Sequence, residues 1–93
     1  MAQMDITITG VARDAKLTWS GVMKSLSKTG GGNYSASFPV QPGKYVYSIV
    51  VFGAPEDAWT AKVTDGKTTH NHAGHMSPAG FDTTGDTSFT VAP

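Results

Sequence analysis

Apolar and polar residues alternate along most of this chain with the two-residue period of half-buried β-strands. Met4, Ile6 and Ile8 alternate with Asp5, Thr7 and Thr9, which predicts a first strand over Met4 to Val11. Arg13-Asp14 reads as the following turn. A second strand over Lys16 to Leu26 places Leu17, Trp19 and Met23 on one face, with Gly21 as a bulge or bend. The Gly30-Gly31-Gly32 run ends it, because ordering three glycines inside a strand is entropically costly.

The clearest alternation lies in Asn33 to Val40, where Tyr34, Ala36, Phe38 and Val40 share a face. Gln41-Pro42-Gly43-Lys44 has the composition of a type II turn, and a fourth strand follows over Lys44 to Phe52. Pairing across that turn would set Val40 against Tyr45, Phe38 against Tyr47, Ala36 against Ile49 and Tyr34 against Val51. Every inward residue would then meet an apolar partner. Pro42 opposes the pairing, since it cannot take the positive φ of a two-residue hairpin, and the chain can instead cross to a second sheet. Trp59, Ala61 and Val63 define a fifth strand over Asp57 to Thr64, and Asp65-Gly66 leads into a short return over Lys67 to Thr69. No apolar period runs from His70 to Gly85, so a long loop is expected there. Phe89 and Val91 face inward on a last strand, Asp86 to Val91.

Residue usage agrees with the period. The chain has 12 Thr, 8 Val and 3 Ile against 2 Leu and 1 Glu, so β-formers dominate and helix-formers are scarce. Gly and Pro punctuate it at intervals near ten residues, the spacing of a sandwich or barrel. The expected fold is all-β: an antiparallel β-sandwich of six or seven strands in one domain, residues 1–93.

Residues 32–53 carry a more specific pattern: Gly32-Asn33-Tyr34, then Phe38-Pro39-Val40-Gln41-Pro42-Gly43-Lys44-Tyr45-Val46-Tyr47, then Val51-Phe52-Gly53. This resembles the early-set immunoglobulin-like modules, including the glycogen-binding type. Gly43-x-Tyr45 resembles the tyrosine corner of immunoglobulin-like folds, in which the phenol bonds back to upstream backbone. The resemblance implies an immunoglobulin-like sandwich and hints at carbohydrate binding. Two features depart from the family. Neither Trp19 nor Trp59 matches its exposed tryptophans, and Phe52 replaces its aspartate before the final glycine.

Charge narrows the function classes. Seven Lys and Arg balance seven Asp and Glu, which provides no basic excess to hold nucleic acid or an anionic membrane. Cys is absent, which removes disulfides, thiolate metal sites and a thiol nucleophile. Met1 to Gly10 lacks the basic start and apolar stretch of a secretory signal, so a cytoplasmic location is the default expectation, with a trimmed leader as the exported alternative.

Three candidate sites follow. Val46, Val50 and Phe52 make the outer face of the fourth strand apolar, where a solvated sheet should be polar. Either the 74–84 loop, with Met76, Pro78 and Phe81, folds over this face, or it receives a partner: a protein or carbohydrate ligand, or a second copy in a homodimer. His70, His72 and His75 are the only histidines and lie within six residues. A His-x-His pair in extended chain points both rings to one side, and a fold-back at Gly74 would add His75, forming a site for zinc, copper or nickel. Met76 adds a thioether for copper(I), and Asp65 or Asp82 an oxygen. A solvated loop is the plainer reading of the same residues. Trp19 and Trp59 are in phase with their strands' apolar sets and are expected in the core rather than as sugar platforms.

Enzymatic signatures are missing: no G-x-S-x-G, no carboxylate pair, and no Lys-Ser/Thr after the triple glycine. A hydrolase triad around one histidine is the third and weakest reading. The leading expectation is a small non-enzymatic binding or interaction module without cofactor, and the alternative is a metal-binding protein.

Overall fold

The computed structural model describes residues 2–11 and 13–93. Among these the chain is all-β, with ten strands in two antiparallel sheets. They are β1 (Ala2–Thr9), β2 (Asp14–Trp19), β3 (Val22–Lys24), β4 (Ser27–Gly30), β5 (Asn33–Val40), β6 (Gly43–Phe52), β7 (Ala58–Thr64), β8 (Thr69–His75), β9 (Phe81–Thr83) and β10 (Thr87–Val91). The first sheet has the order β4-β5-β1-β7-β8. The second has the order β10-β6-β2-β3, with β9 also paired to β6.

The inner faces share one core. Met4, Ile6 and Ile8 of β1 and Trp59, Ala61 and Val63 of β7 meet Leu17 and Trp19 of β2, Tyr47, Ile49 and Val51 of β6, and Phe89 and Val91 of β10. Each was in phase for burial, and each is buried. Removing one large apolar side chain from water contributes about 1.5–3 kcal/mol, so this layer is the main source of stability. Within it Trp19 packs against Phe38 of the first sheet at 5.3 Å and stacks on Tyr47 at 5.8 Å and 13°.

The pairing of β5 with β6 does not form. β5 pairs with β1 and β4, whereas β6 pairs with β2, β9 and β10, so the chain changes sheet at Gln41-Pro42. Pro42 is the physical reason, being unable to make the left-handed turn that a tight hairpin needs. Just beyond the crossing, the Tyr45 hydroxyl donates to the Gln41 carbonyl at 2.7 Å and clamps the corner.

Three other expectations are corrected. Lys16 to Leu26 is two strands, because Ser20 (φ 49°) and Gly21 (φ 81°) form a two-residue hairpin turn that sets Trp19 opposite Val22. The turn resets the alternation, and Met23 emerges 66% exposed. The 70–85 segment is not one long loop. Residues 69–75 form β8, paired with β7 from Ala58↔His75 to Thr64↔Thr69. Its inward positions are His70, His72 and Gly74, which no apolar count registers. Residues 81–83 form β9, which joins the edge of β6, and Thr84 continues the contact through Ile49. The count of six or seven strands thus becomes ten.

Gly74 is required by packing. The Trp59 indole N–H of β7 donates to Asp82 Oδ2 of β9 at 2.8 Å, linking the two sheets. A Cβ on Gly74 would fall 2.4 Å from that carboxylate oxygen and 3.0 Å from the indole nitrogen. Gly74→Ala is therefore expected to lower stability by about 1–3 kcal/mol in urea unfolding, the usual range for an overpacked site. An unchanged midpoint would show that the Trp59–Asp82 link yields freely. Tyr45→Phe, which removes only the hydroxyl of the corner, is expected to lower stability by about 1 kcal/mol in the same assay.

Candidate functional site

Two features stand out from the solvated surface: the outer face of the second sheet, and a polar cluster at one open edge between the sheets.

On the outer face, the β6 register alternates cleanly. Tyr47, Ile49 and Val51 point inward, so Val46, Ser48, Val50 and Phe52 point out. Val46 is 46% exposed, while Val50 and Phe52 are half-buried by their neighbours. Those neighbours are Lys16 and Thr83 flanking Val50, and Asp14 and Phe81 flanking Phe52. The 74–84 segment does not cover this face. Met76 is buried in the core, and Phe81 extends the face beside Phe52 with 45% of its own surface exposed. Met23 on β3 adds a further exposed apolar side chain beside Thr18, which itself neighbours Ser48. The result is an apolar strip with a charged margin of Asp14, Lys16 and Lys44. Phe81 was missed as a member because the sequence offered no strand in which to phase it.

The edge cluster begins from the register of β8. His70 lies opposite Val63 and His72 opposite Ala61, both inward positions of β7. The two imidazoles thus enter the gap between the sheets and meet Tyr47 from β6. The Tyr47 oxygen lies 2.6 Å from His72 Nε2 and 3.1 Å from His70 Nδ1. His70 also packs on the Phe89 ring at 4.7 Å. His75 has the opposite parity. It is exposed on the outer face of the first sheet, so the expected set of His70, His72 and His75 is not brought together. Among the described residues, no three His, Asp or Glu side chains are grouped to hold a metal. The extended backbone at Gly74, fixed by pairing with Trp59, is the reason: the fold-back that would have turned His75 inward does not occur.

Electrostatics follow from this burial. Tyr47 is 1% exposed, and burial pushes its phenol up to about 12, so it remains a neutral hydroxyl across the physiological range. Burial, and secondarily the nearby His70, holds His72 below its ordinary 6.5. In the tautomer pair that leaves His72 Nε2 unprotonated, His72 accepts the phenol hydrogen and His70 supplies its own N–H to the phenol oxygen. Tyr47 is the member that sequence reasoning overlooked. Its phase marked it as core, and nothing in the local pattern shows that a strand 23 residues later brings imidazoles to its hydroxyl.

The other candidates resolve simply. Trp19 and Trp59 are 4% and 3% exposed, so neither presents an indole face to a sugar. Asp82 is engaged by Trp59. Asp65 sits in the β7–β8 turn, where its carboxylate accepts the Lys67 and Thr68 amides and lies below its ordinary range because of them. A surface depression of about 550 Å³ lies on the first sheet, lined by Thr7, Thr9, Thr60, Lys62, Asn71 and Ala73 and mainly by their apolar atoms. Comparison of the chain with protein-family models, with curated proteins and with solved structures gives no significant match.

The depressed His72 carries a pH signature. Above 6.5 the imidazole is neutral in both folded and unfolded chains, and its contribution is constant. As pH falls below 6.5 the unfolded chain takes up the proton first, so stability declines until folded His72 also protonates. His72→Gln is expected to flatten this part of the urea-midpoint profile between pH 7 and 5. An equally steep profile in the variant would assign the effect to another group.

Proposed function

We propose that this protein is a non-enzymatic interaction module with an immunoglobulin-like β-sandwich fold that binds a protein partner through the outer face of its second sheet. The observation that carries this reading is the strip formed by Val46, Val50 and Phe52 together with Phe81. Apolar side chains held on a rigid sheet and left in water favour association, and a charged margin around them is the usual anatomy of an interface. The immunoglobulin-like part of the reading is supported by Pro42-Gly43-Lys44-Tyr45, whose phenol bonds back to the Gln41 carbonyl in the manner of a tyrosine corner. A carbohydrate ligand has less support, because both tryptophans belong to the core. A second copy of the chain remains one form that the protein partner can take.

A photoreactive phenylalanine analogue placed at Val46, with the same probe at Thr60 on the opposite sheet as control, tests the surface. Cross-linked protein at position 46 but not at 60, lost when Phe81→Lys is added, is the expected result. Sedimentation velocity of the unmodified protein separates self-association from a foreign partner. Equal labelling at both positions, or labelling indifferent to Phe81→Lys, would overturn the assignment.

A further inference from the structure

We propose that His70, His72 and Tyr47 form a binding site for one divalent transition-metal ion, with copper(II) the best match. The geometry carries this. Two imidazole nitrogens and one phenol oxygen converge between the sheets, with the oxygen 2.6 Å from His72 Nε2 and 3.1 Å from His70 Nδ1. Ligand atoms each about 2.0–2.1 Å from a common ion are separated by about 2.9 Å at a right angle and about 3.3 Å at a tetrahedral angle. The His70 separation already falls in that range, and the His72 separation reaches it by opening a few tenths of an ångström.

The register and packing preorganise these donors. Positions 70 and 72 of an extended strand share a face, so β8 presents both rings without a special loop. Tyr47 is held by the Trp19 stack and His70 by the Phe89 ring, which limits reorganisation on binding. Both histidines are only half-buried at the open edge of the sandwich, so an ion has a route in and keeps positions for water. Imidazole suits copper, nickel and zinc alike, and among these copper(II) binds nitrogen and oxygen donors most strongly. Phenolate is the one anion in the set, and copper(II), the strongest Lewis acid of the three, best displaces its proton.

His70 moves its ring hydrogen from Nδ1 to Nε2, which frees Nδ1 without net loss. His72 already offers an unprotonated Nε2 to the phenol. Tyr47 gives up its hydroxyl proton to solvent as the oxygen–metal bond forms, so one proton leaves for each ion bound. This site shares two residues with a set of three histidines but differs in its third donor, so His75 becomes the control.

Titration of the intact protein with copper(II) at neutral pH, by calorimetry in buffers of different ionisation enthalpy, is the deciding experiment. The expected result is one ion per chain with about one proton released. Electron paramagnetic resonance should show two coupled imidazole nitrogens, and the visible spectrum a phenolate-to-copper band. His70→Gln and His72→Gln should each weaken copper by at least about tenfold, whereas His75→Gln should leave binding unchanged. Tyr47→Phe should keep the two-nitrogen signal but lose the visible band and the proton release. Near-ultraviolet circular dichroism of the Trp19 stack verifies that each variant is folded. Copper binding that survives the His70→Gln/His72→Gln double variant, that falls equally with His75→Gln, or that never reaches one equivalent would overturn the site.

Discussion

The change of sheet at Gln41-Pro42 is the constraint on which the architecture depends. β5 and β6 both carry an inward set of large apolar side chains. Joined as a hairpin, they would present those sets on one side of one sheet, with half the core still facing water. Crossing to a second sheet turns the sets towards each other, so that Phe38 of β5 packs on Trp19, the cross-strand partner of Tyr47. Proline forbids the hairpin turn, and the Tyr45 hydroxyl secures the crossing from the other side. A local backbone restriction thereby produces a layered core.

The layers do not close equally well at every edge. Over Trp59, Gly74 leaves room for the indole–carboxylate bond between β7 and β9. A few residues away, β8 supplies imidazoles where an aliphatic strand would supply methyl groups. A buried phenol must find a hydrogen-bond partner, and Tyr47 finds two. The histidines therefore satisfy a polar demand raised by β6 while filling the gap above Phe89. That same convergence of nitrogen and oxygen is the geometry on which the proposed metal site rests.

The two candidate surfaces differ in how their residues came together. The outer strip of the second sheet lies mostly along β6, and the alternation that turns Tyr47, Ile49 and Val51 inward necessarily turns Val46, Val50 and Phe52 outward. Phe81 joins it only because β9 pairs with the end of β6. The Tyr47 cluster depends on long-range contact, since β8 places His70 and His72 side by side but Tyr47 comes from β6 in the other sheet.

Alternation by itself determined the all-β class, the inward sets of β1, β5, β6, β7 and β10, and the burial of both tryptophans, because a period of two is a property of neighbours along the chain. It likewise marked the apolar outer positions of β6. It misread Lys16 to Leu26, where two left-handed residues reset the phase, and it passed over β8, whose inward residues are His70, His72 and Gly74 rather than aliphatics. Tertiary structure alone decided that β5 and β6 part company, that His75 faces away from its neighbours, and that Tyr47 stands between His70 and His72. Those outcomes depend on which strands pair across long stretches of chain, and pairing is set by packing of the whole core rather than by any local pattern.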